Sequence, residues 1–399
     1  MNPNKKILTN PVFILLFLNS ILVLLSYSYN SYNGYISGTF TIAKQLILLF
    51  SLIFLLFKSV SLKIFRSACL IIPVAFFIFS IFRSSFLSSL YSLATLFVPY
   101  FYILSTLSYL IKQFSFRETF GHLLLLFNFV YLYPIVIYFL LGTGFEKTNI
   151  YGIEDQGFFF SNHYGWATAI FLTTTPAIIY LFKLNKLLRT IFLGCTILAF
   201  YLLIISANRS AMLAVTIALI ILVFFPKGIH LLRGSNAVLL IFLISVPFYF
   251  LTNLKDQKNS SVNFLIKKNE KQFETKEKAE TRFVVANFAF DYFNNNPILW
   301  LTGVGLFNHA FIQGVTNLGA YHNSYWEILF GGGVLVFLFF LSVMILRPIY
   351  VFNKYIGNFG LIMIPLIIIP FFESNLTGGQ FLFFPWFSIM LLMNVRKIV

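Results

Sequence analysis

Apolar runs of about twenty residues, cut apart by short cationic connectors, recur along almost the whole chain. About 20 apolar residues is what an α-helix needs to cross the hydrocarbon core of a bilayer. Within lipid the backbone must satisfy its own hydrogen bonds, which restricts spanning structures to helices and closed barrels. Barrel strands alternate in polarity over about ten residues, whereas these runs are continuously apolar. Only 10% of the residues are charged and 59% are apolar, against about 25% charged in soluble domains. The chain reads as an all-α polytopic membrane protein, a single integral membrane domain over residues 1–399.

Twelve spans are predicted, at about 11–28, 40–57, 68–82, 86–111, 120–141, 162–182, 190–207, 209–225, 236–252, 325–346, 358–372 and 381–395. Pro99 lies inside the long fourth span and is a candidate kink. Lys5 and Lys6 precede the first run, which is not followed by an A-x-A-type cleavage site and reads as an anchor. With the N-terminus placed inside, the inner connectors and span ends collect sixteen cations and one acid, Glu118. The short outer connectors and adjoining span ends hold only Lys44, Arg83, Lys147 and Arg209. This asymmetry follows the positive-inside rule and puts both termini in the cytoplasm. It also accounts for the net charge of +16 without nucleic-acid binding.

The same topology puts the one long polar segment, residues 253–324, outside, between spans 9 and 10. No inner connector is long enough for a nucleotide-binding domain, and no Gly-rich phosphate loop is present. ATP-driven transport and direct use of a cytosolic nucleotide-sugar are therefore disfavoured, and no cofactor is expected. Cys69 and Cys195 both fall within apolar runs and suggest neither a disulfide nor a metal site. The three aspartates, Asp155, Asp256 and Asp291, form no D-x-D or E-x-D pair, so a carboxylate metal site is not expected.

Within the outer loop, Lys267 to Glu280 is dense in mixed charge. The stretch from Thr281 to Phe293 then places Phe283, Ala286, Phe290 and Phe293 on one helical face. This predicts an amphipathic helix resting on the membrane face of the spans, ended by Asn294-Asn295-Asn296-Pro297. Gly303-Val304-Gly305 follows. The loop closes on Tyr321-His322-Asn323-Ser324, and Gly331-Gly332-Gly333 inside the next span permits close helix approach or a broken helix.

Arg209, in Ser206-Ala207-Asn208-Arg209-Ser210, sits at an outer span end, where the charge rule disfavours it. It either snorkels to lipid headgroups or is a fixed cation for an anionic ligand, with Asn208 and Ser210 as further donors. Arg282 has no acid at helical spacing. Among the histidines, His122 and His230 lie on the inner side, while His163, next to Asn162 at the start of span 6, and His309 lie on the outer side. His322 stands out through its Tyr, Asn and Ser neighbours and its place at a span start.

These residues, in this order, resemble a known family. Ser161-Asn162 opens a span, and Ser206 to Ser210 has a Ser-x-x-Arg-Ser form. Arg282 precedes an aromatic helix, and Gly303-x-Gly305 and His322-Asn323 follow. From about Gly157 onward the pattern is similar to the O-antigen ligase and Wzy polymerase superfamily. It departs at Asn208, where a serine is expected directly before the arginine.

The resemblance implies an inverting, metal-independent glycosyltransferase of the GT-C type. It works on the outer face of the bacterial cytoplasmic membrane with an undecaprenyl-diphosphate-linked glycan as donor. In that reading Arg209 and Arg282 bind the diphosphate, His322 acts on the acceptor hydroxyl, and Asn323, Asn208, Tyr321 and Asn162 support them. The activity expected is polymerisation of O-antigen or capsule repeat units, alongside a flippase and a chain-length regulator. Ligation of the glycan to lipid A core is an alternative. So is transport of a lipid-linked glycan or an anion, although no internal repeat relates the two halves.

Overall fold

Helices occupy the apolar runs wherever the chain can be followed. The computed structural model describes residues 5–25, 35–57, 70–81, 86–141, 161–182, 184, 186–206, 208–224, 276–305, 323–355, 362–372, 388–392 and 394. All regular structure among them is helical. The first group comprises α1 (Lys5–Leu8), α2 (Pro11–Leu25), α3 (Tyr35–Phe57), α4 (Ile71–Ile81), α5 (Phe86–Gln113), α6 (Phe116–Leu141), α7 (Ser161–Leu181), α8 (Lys186–Ile205) and α9 (Arg209–Phe224). The second comprises α10 (Lys276–Asn295), the short α11 (Leu299–Thr302), α12 (Ser324–Phe340), a π-helical stretch (Leu341–Leu346), α13 (Arg347–Tyr355), α14 (Met363–Ile368) and a 3-10 turn (Ile369–Phe371).

Among the described residues, Phe116–Leu140, Lys186–Ile204 and Ser324–Val351 are long and apolar enough to cross a membrane. Shorter apolar helices cover Pro11–Leu25, Ile42–Phe57 and Ser210–Ile221. The predicted span at 236–252 and loop residues 253–275 lie outside the described residues, and 381–395 is described only at 388–392 and 394. Twelve spans therefore stay an expectation.

Two boundaries differ from the hydropathy reading for local reasons. α6 begins at Phe116, not 120, because Ser115 and Glu118 form a capping box. Glu118 Oε2 accepts from Ser115 N at 3.1 Å and from Ser115 Oγ at 2.8 Å, while Glu118 N donates to Ser115 Oγ at 3.2 Å. α5 runs on through Pro99 as a single helix.

Inside the bundle, hydrogen bonds join neighbouring helices. Asn128 Nδ2 on α6 donates to Thr174 Oγ1 and Thr175 Oγ1 on α7, both at 2.9 Å. Asn19 Nδ2 on α2 donates to Ser51 Oγ on α3 at 3.2 Å and to Tyr102 Oη on α5 at 3.0 Å. Each such interhelical bond contributes about 0.6–2 kcal/mol in a membrane.

Helix α12 passes into the π-helical stretch, which ends at the predicted span end and runs on into α13, and Pro348 marks this turn. Arg347 N donates to Ser342 O, the five-residue spacing of a π turn. At that spacing the donor for Val343 O would be residue 348, a proline, which has no N–H. Asn394 Nδ2 fills the vacancy at 2.9 Å and so ties the C-terminal helical segment to this turn. Asn394→Leu should lower stability by about 1–3 kcal/mol, the cost of a buried acceptor left unmade. Thermal unfolding in detergent measures this, and an unchanged midpoint would show that water or another donor serves Val343.

Candidate functional site

Four of the predicted site residues, Asn162, Asn208, Arg209 and Asn323, sit at helix starts. Asn208 is the residue before α9, and its Oδ1 accepts from Ala211 N at 2.9 Å and Ser210 Oγ at 2.7 Å. It is buried, and the first turn of α7 closes over it: a Cβ built on Gly165 would lie 2.3 Å from Asn208 Cβ. The helix that Ser161-Asn162 opens thus meets the Ser206–Ser210 motif at that glycine. Asn208 and Ser210, expected as donors to a ligand, are engaged with each other and with the start of α9. Arg209 is the first residue of α9 and Asn162 the second of α7; their side chains lie outside the described residues.

Asn323 caps α12 in the same way. Its backbone is extended, and its Oδ1 accepts from Tyr325 N at 3.0 Å and Trp326 N at 3.1 Å. Asn323→Ala should therefore cost about 1 kcal/mol and Asn323→Ser should restore most of it, read as thermal midpoints in detergent. Restored stability without restored activity would assign Asn323 a second role beyond the cap. His322 and Tyr321 lie outside the described residues, as do His309, His230, Arg83 and Lys147.

One turn into α12, Glu327 is 5% exposed. Sequence reasoning gave it no role, although a buried acid in a helix's first turn is favoured by the helix dipole and marks a site for attention. Tyr325 Oη donates to Ile367 O at 2.9 Å, and its ring lies 4.2 Å from that of Phe371. Segment 363–371 also packs against α9 and α7, so it connects the helix beginning at Arg209 with the helix beginning beside His322.

Helix α12 is broken at Gly333, whose φ of 74° and ψ of 176° are not helical. The carbonyls of Phe330 and Gly331 take donors from the segment after α11 instead: Val304 N at 2.8 Å and Gly305 N at 2.9 Å. Glycine is required on both sides of this crossing. A Cβ on Gly303 (φ 66°) would lie 2.3 Å from Gly331 O, and one on Gly333 would lie 2.4 Å from Leu301 O. On another side, a Cβ on Gly332 would lie 2.7 Å from Phe76 of α4. The segment is thus clasped to α12 by backbone hydrogen bonds at these glycines.

Helix α10 starts at Lys276, a turn earlier than its aromatic pattern suggests. Its buried face is Val285, Ala286, Ala289 and Phe293, rotated from the predicted one, with Phe290 half-buried. The face rests on Leu299 of α11, Val304 and Phe330 of α12, with Trp300 and Trp326 at the margin. A small aromatic core forms there, in which Phe293 meets Phe330 at 5.0 Å and Trp300 at 5.4 Å between ring centroids. Arg282 lies on α10 one turn before Val285; its side chain lies outside the described residues.

Among the other histidines, His163 is buried in α7 with its ring 5.0 Å from Trp166. His122 is buried in α6, its Nδ1 2.7 Å from Glu118 O and its ring edge-on to Phe182. These settings read as packing.

A search among curated proteins finds no match. Residues 194–341 match the family model described as O-antigen ligase, a stretch containing α9, α10, the glycine clasp and the positions of Arg209, Arg282 and His322. Over that stretch the chain is similar to the O-antigen ligase family.

Proposed function

We propose that the protein is a polysaccharide polymerase. It joins undecaprenyl-diphosphate-linked repeat units on the outer face of the bacterial cytoplasmic membrane, as an inverting, metal-independent glycosyltransferase. The observation that carries this reading is the clasp. Two backbone hydrogen bonds and a glycine crossing hold residues 301–305 against the helix that begins next to His322, and the helix bearing Arg282 packs on the same helix through Phe293 and Phe330, within the stretch matched by the family model.

In the proposed reaction the acceptor sugar hydroxyl attacks the anomeric carbon of the donor as the C–O bond to the lipid diphosphate breaks. His322 takes the hydroxyl proton, a task suited to imidazole near neutral pH. The leaving diphosphate carries away the bonding electron pair. Arg209 and Arg282 hold it with guanidinium forks, which remain charged and bind phosphate oxygens in pairs. Two fixed cations would do the work that a divalent ion does elsewhere. Helix α10 would act as part of the cover over this site.

The description of the matched family favours a second reading, ligation of the glycan to lipid A core. Purified protein given lipid-linked repeat units alone decides between them. A ladder of longer lipid-linked glycans supports polymerisation. Product formed only after lipid A core is added supports ligation, and unchanged chain length under both conditions returns the transporter reading.

A further inference from the structure

We propose that α11 dips into the outer leaflet of the membrane and inserts Ile298 and Leu301 among lipid acyl chains. The depth follows from the helix to which this segment is clasped. Nineteen uncharged residues of that helix, Ile328 to Leu346, are bounded by Glu327 and Arg347. At about 1.5 Å per residue they measure about 28 Å, close to the ~30 Å hydrocarbon core of a bilayer. The clasp lies just inside the Glu327 end, which the charge asymmetry used above assigns to the outer side. Val304 N meets Phe330 O, Gly305 N meets Gly331 O, and Gly333 faces Leu301 O. These α12 positions are three to six residues past Glu327, or about 4–9 Å below it. Interfacial helices bury their apolar face to a similar depth, about 5–10 Å.

What α11 exposes at that depth is apolar. Ile298 and Leu301 are 56% and 49% exposed and lie one helical turn apart. Leu299 is buried, and Trp300 is half-buried with its Nε1 donating to Asn294 Oδ1 at 3.2 Å. A tryptophan with an apolar body and a bonded N–H suits the boundary between lipid and water. The polar residues Asn294, Asn295 and Asn296 are exposed on the turn before it. Further in, α12 exposes Leu335 and Leu338, so this helix faces lipid directly below the level of the clasp.

Such a place is closed to most loops, because lipid offers no partner to backbone N–H and C=O groups. Here the condition is met. Leu299, Trp300 and Leu301 donate their N–H groups to the carbonyls of Asn296, Pro297 and Ile298. Thr302 and Gly303 donate to Ile298 and Leu299, and Val304 and Gly305 donate to α12. Every backbone N–H from Leu299 to Gly305 therefore has a backbone acceptor. The residues beyond the helical turn, Gly303, Val304 and Gly305, are also buried in protein. The break at Gly333 leaves free the two α12 carbonyls that the last two donors need. A loop standing in water would need no such match, since water serves its backbone.

Spin labelling of the full-length protein tests this. Cys69 and Cys195 are replaced by alanine, and single cysteines are introduced by Ile298→Cys, Leu301→Cys, Asn295→Cys and Leu338→Cys. Each variant is labelled with a nitroxide and reconstituted in vesicles of phosphatidylethanolamine and phosphatidylglycerol. Collision rates with oxygen, which partitions into lipid, are compared with those with a water-soluble nickel chelate. The oxygen-to-nickel ratio at 298 and 301 should be several-fold above that at 295 and approach that at 338. Ratios at 298 and 301 equal to that at 295 place α11 in water and overturn the proposal. Low rates with both reagents at 298 and 301 overturn it too, by showing that a second copy or another protein surface covers them. If Leu301→Cys loses its monodisperse elution, Ile298→Cys carries the measurement under the same criterion. These readings do not depend on the ladder assay: an inserted α11 in a protein that never extends glycans would sink the polymerase reading and leave this one standing.

Discussion

Gly303→Ala and Gly333→Ala each abolish glycan extension while the protein still inserts in the membrane. Both glycines sit at positive φ, where a side chain costs about 1–2 kcal/mol. Each also faces a backbone atom within 2.4 Å of where its Cβ would be, and backbone cannot swing aside as a side chain does. The loop and α12 must then separate, and the bonds from Val304 N and Gly305 N are lost at about 0.5–1.5 kcal/mol each. The total is several kcal/mol, concentrated at one crossing. The main helical core lies elsewhere, so the expected result is a loosened loop with no general unfolding. Amide exchange at Val304 and Gly305 should rise to the rate of exposed loop residues, with the helices of the bundle still protected. Gly194→Ala is the matched control, since nothing lies within 4 Å of a Cβ there. Wild-type ladders from Gly333→Ala would show that the site does not depend on the clasp.

The second large effect is expected at the proposed chemistry. His322→Ala should reduce extension at least about 100-fold, the lower end of what general acid–base groups contribute, with expression and stability unchanged. Arg282→Ala should abolish the ladder. Arg209→Lys should be strongly impaired although charge is conserved, because an ammonium is a point charge and cannot replace a planar fork on a diphosphate. Chain-length profiles in a cell lacking the native gene measure all three. Full activity in Arg209→Lys would return that residue to a snorkelling role, and wild-type chains from His322→Ala would remove the histidine from the mechanism.

The apolar runs could be read from sequence because a twenty-residue helix in lipid leaves few alternatives. Their ends were less legible, being set by single side chains such as the Ser115–Glu118 box and by Pro348, whose missing N–H draws in Asn394 from fifty residues away. The candidate site divides similarly. Arginine and histidine positions stand out by residue type and order. What Asn208 and Asn323 do does not, since asparagine before a helix reads equally as a cap or a ligand contact, and the structure assigns the cap. The rotation of α10's buried face was hidden because Val285 and Ala289 contribute by fitting closely, while the larger phenylalanines dominate the pattern. The glycines are legible only as punctuation; that Gly303 must clear Gly331 and Gly333 must clear Leu301 is a tertiary fact.

The clasp has a bearing on how acceptors could diversify. Gly305 is held at Gly331, and the chain must be back at Asn323, only about 12 Å away along α12 at about 1.5 Å per residue. Residues 306–322, which include His322 at their far end, thus leave from and return to one rigid helix. Doubling the length of such an insert costs only about 0.6 kcal/mol in closure entropy and cannot shift its two anchor points. On the proposed function, inserts of other lengths between Gly305 and His322 would suit a different incoming sugar, with the two anchors and the histidine kept in place.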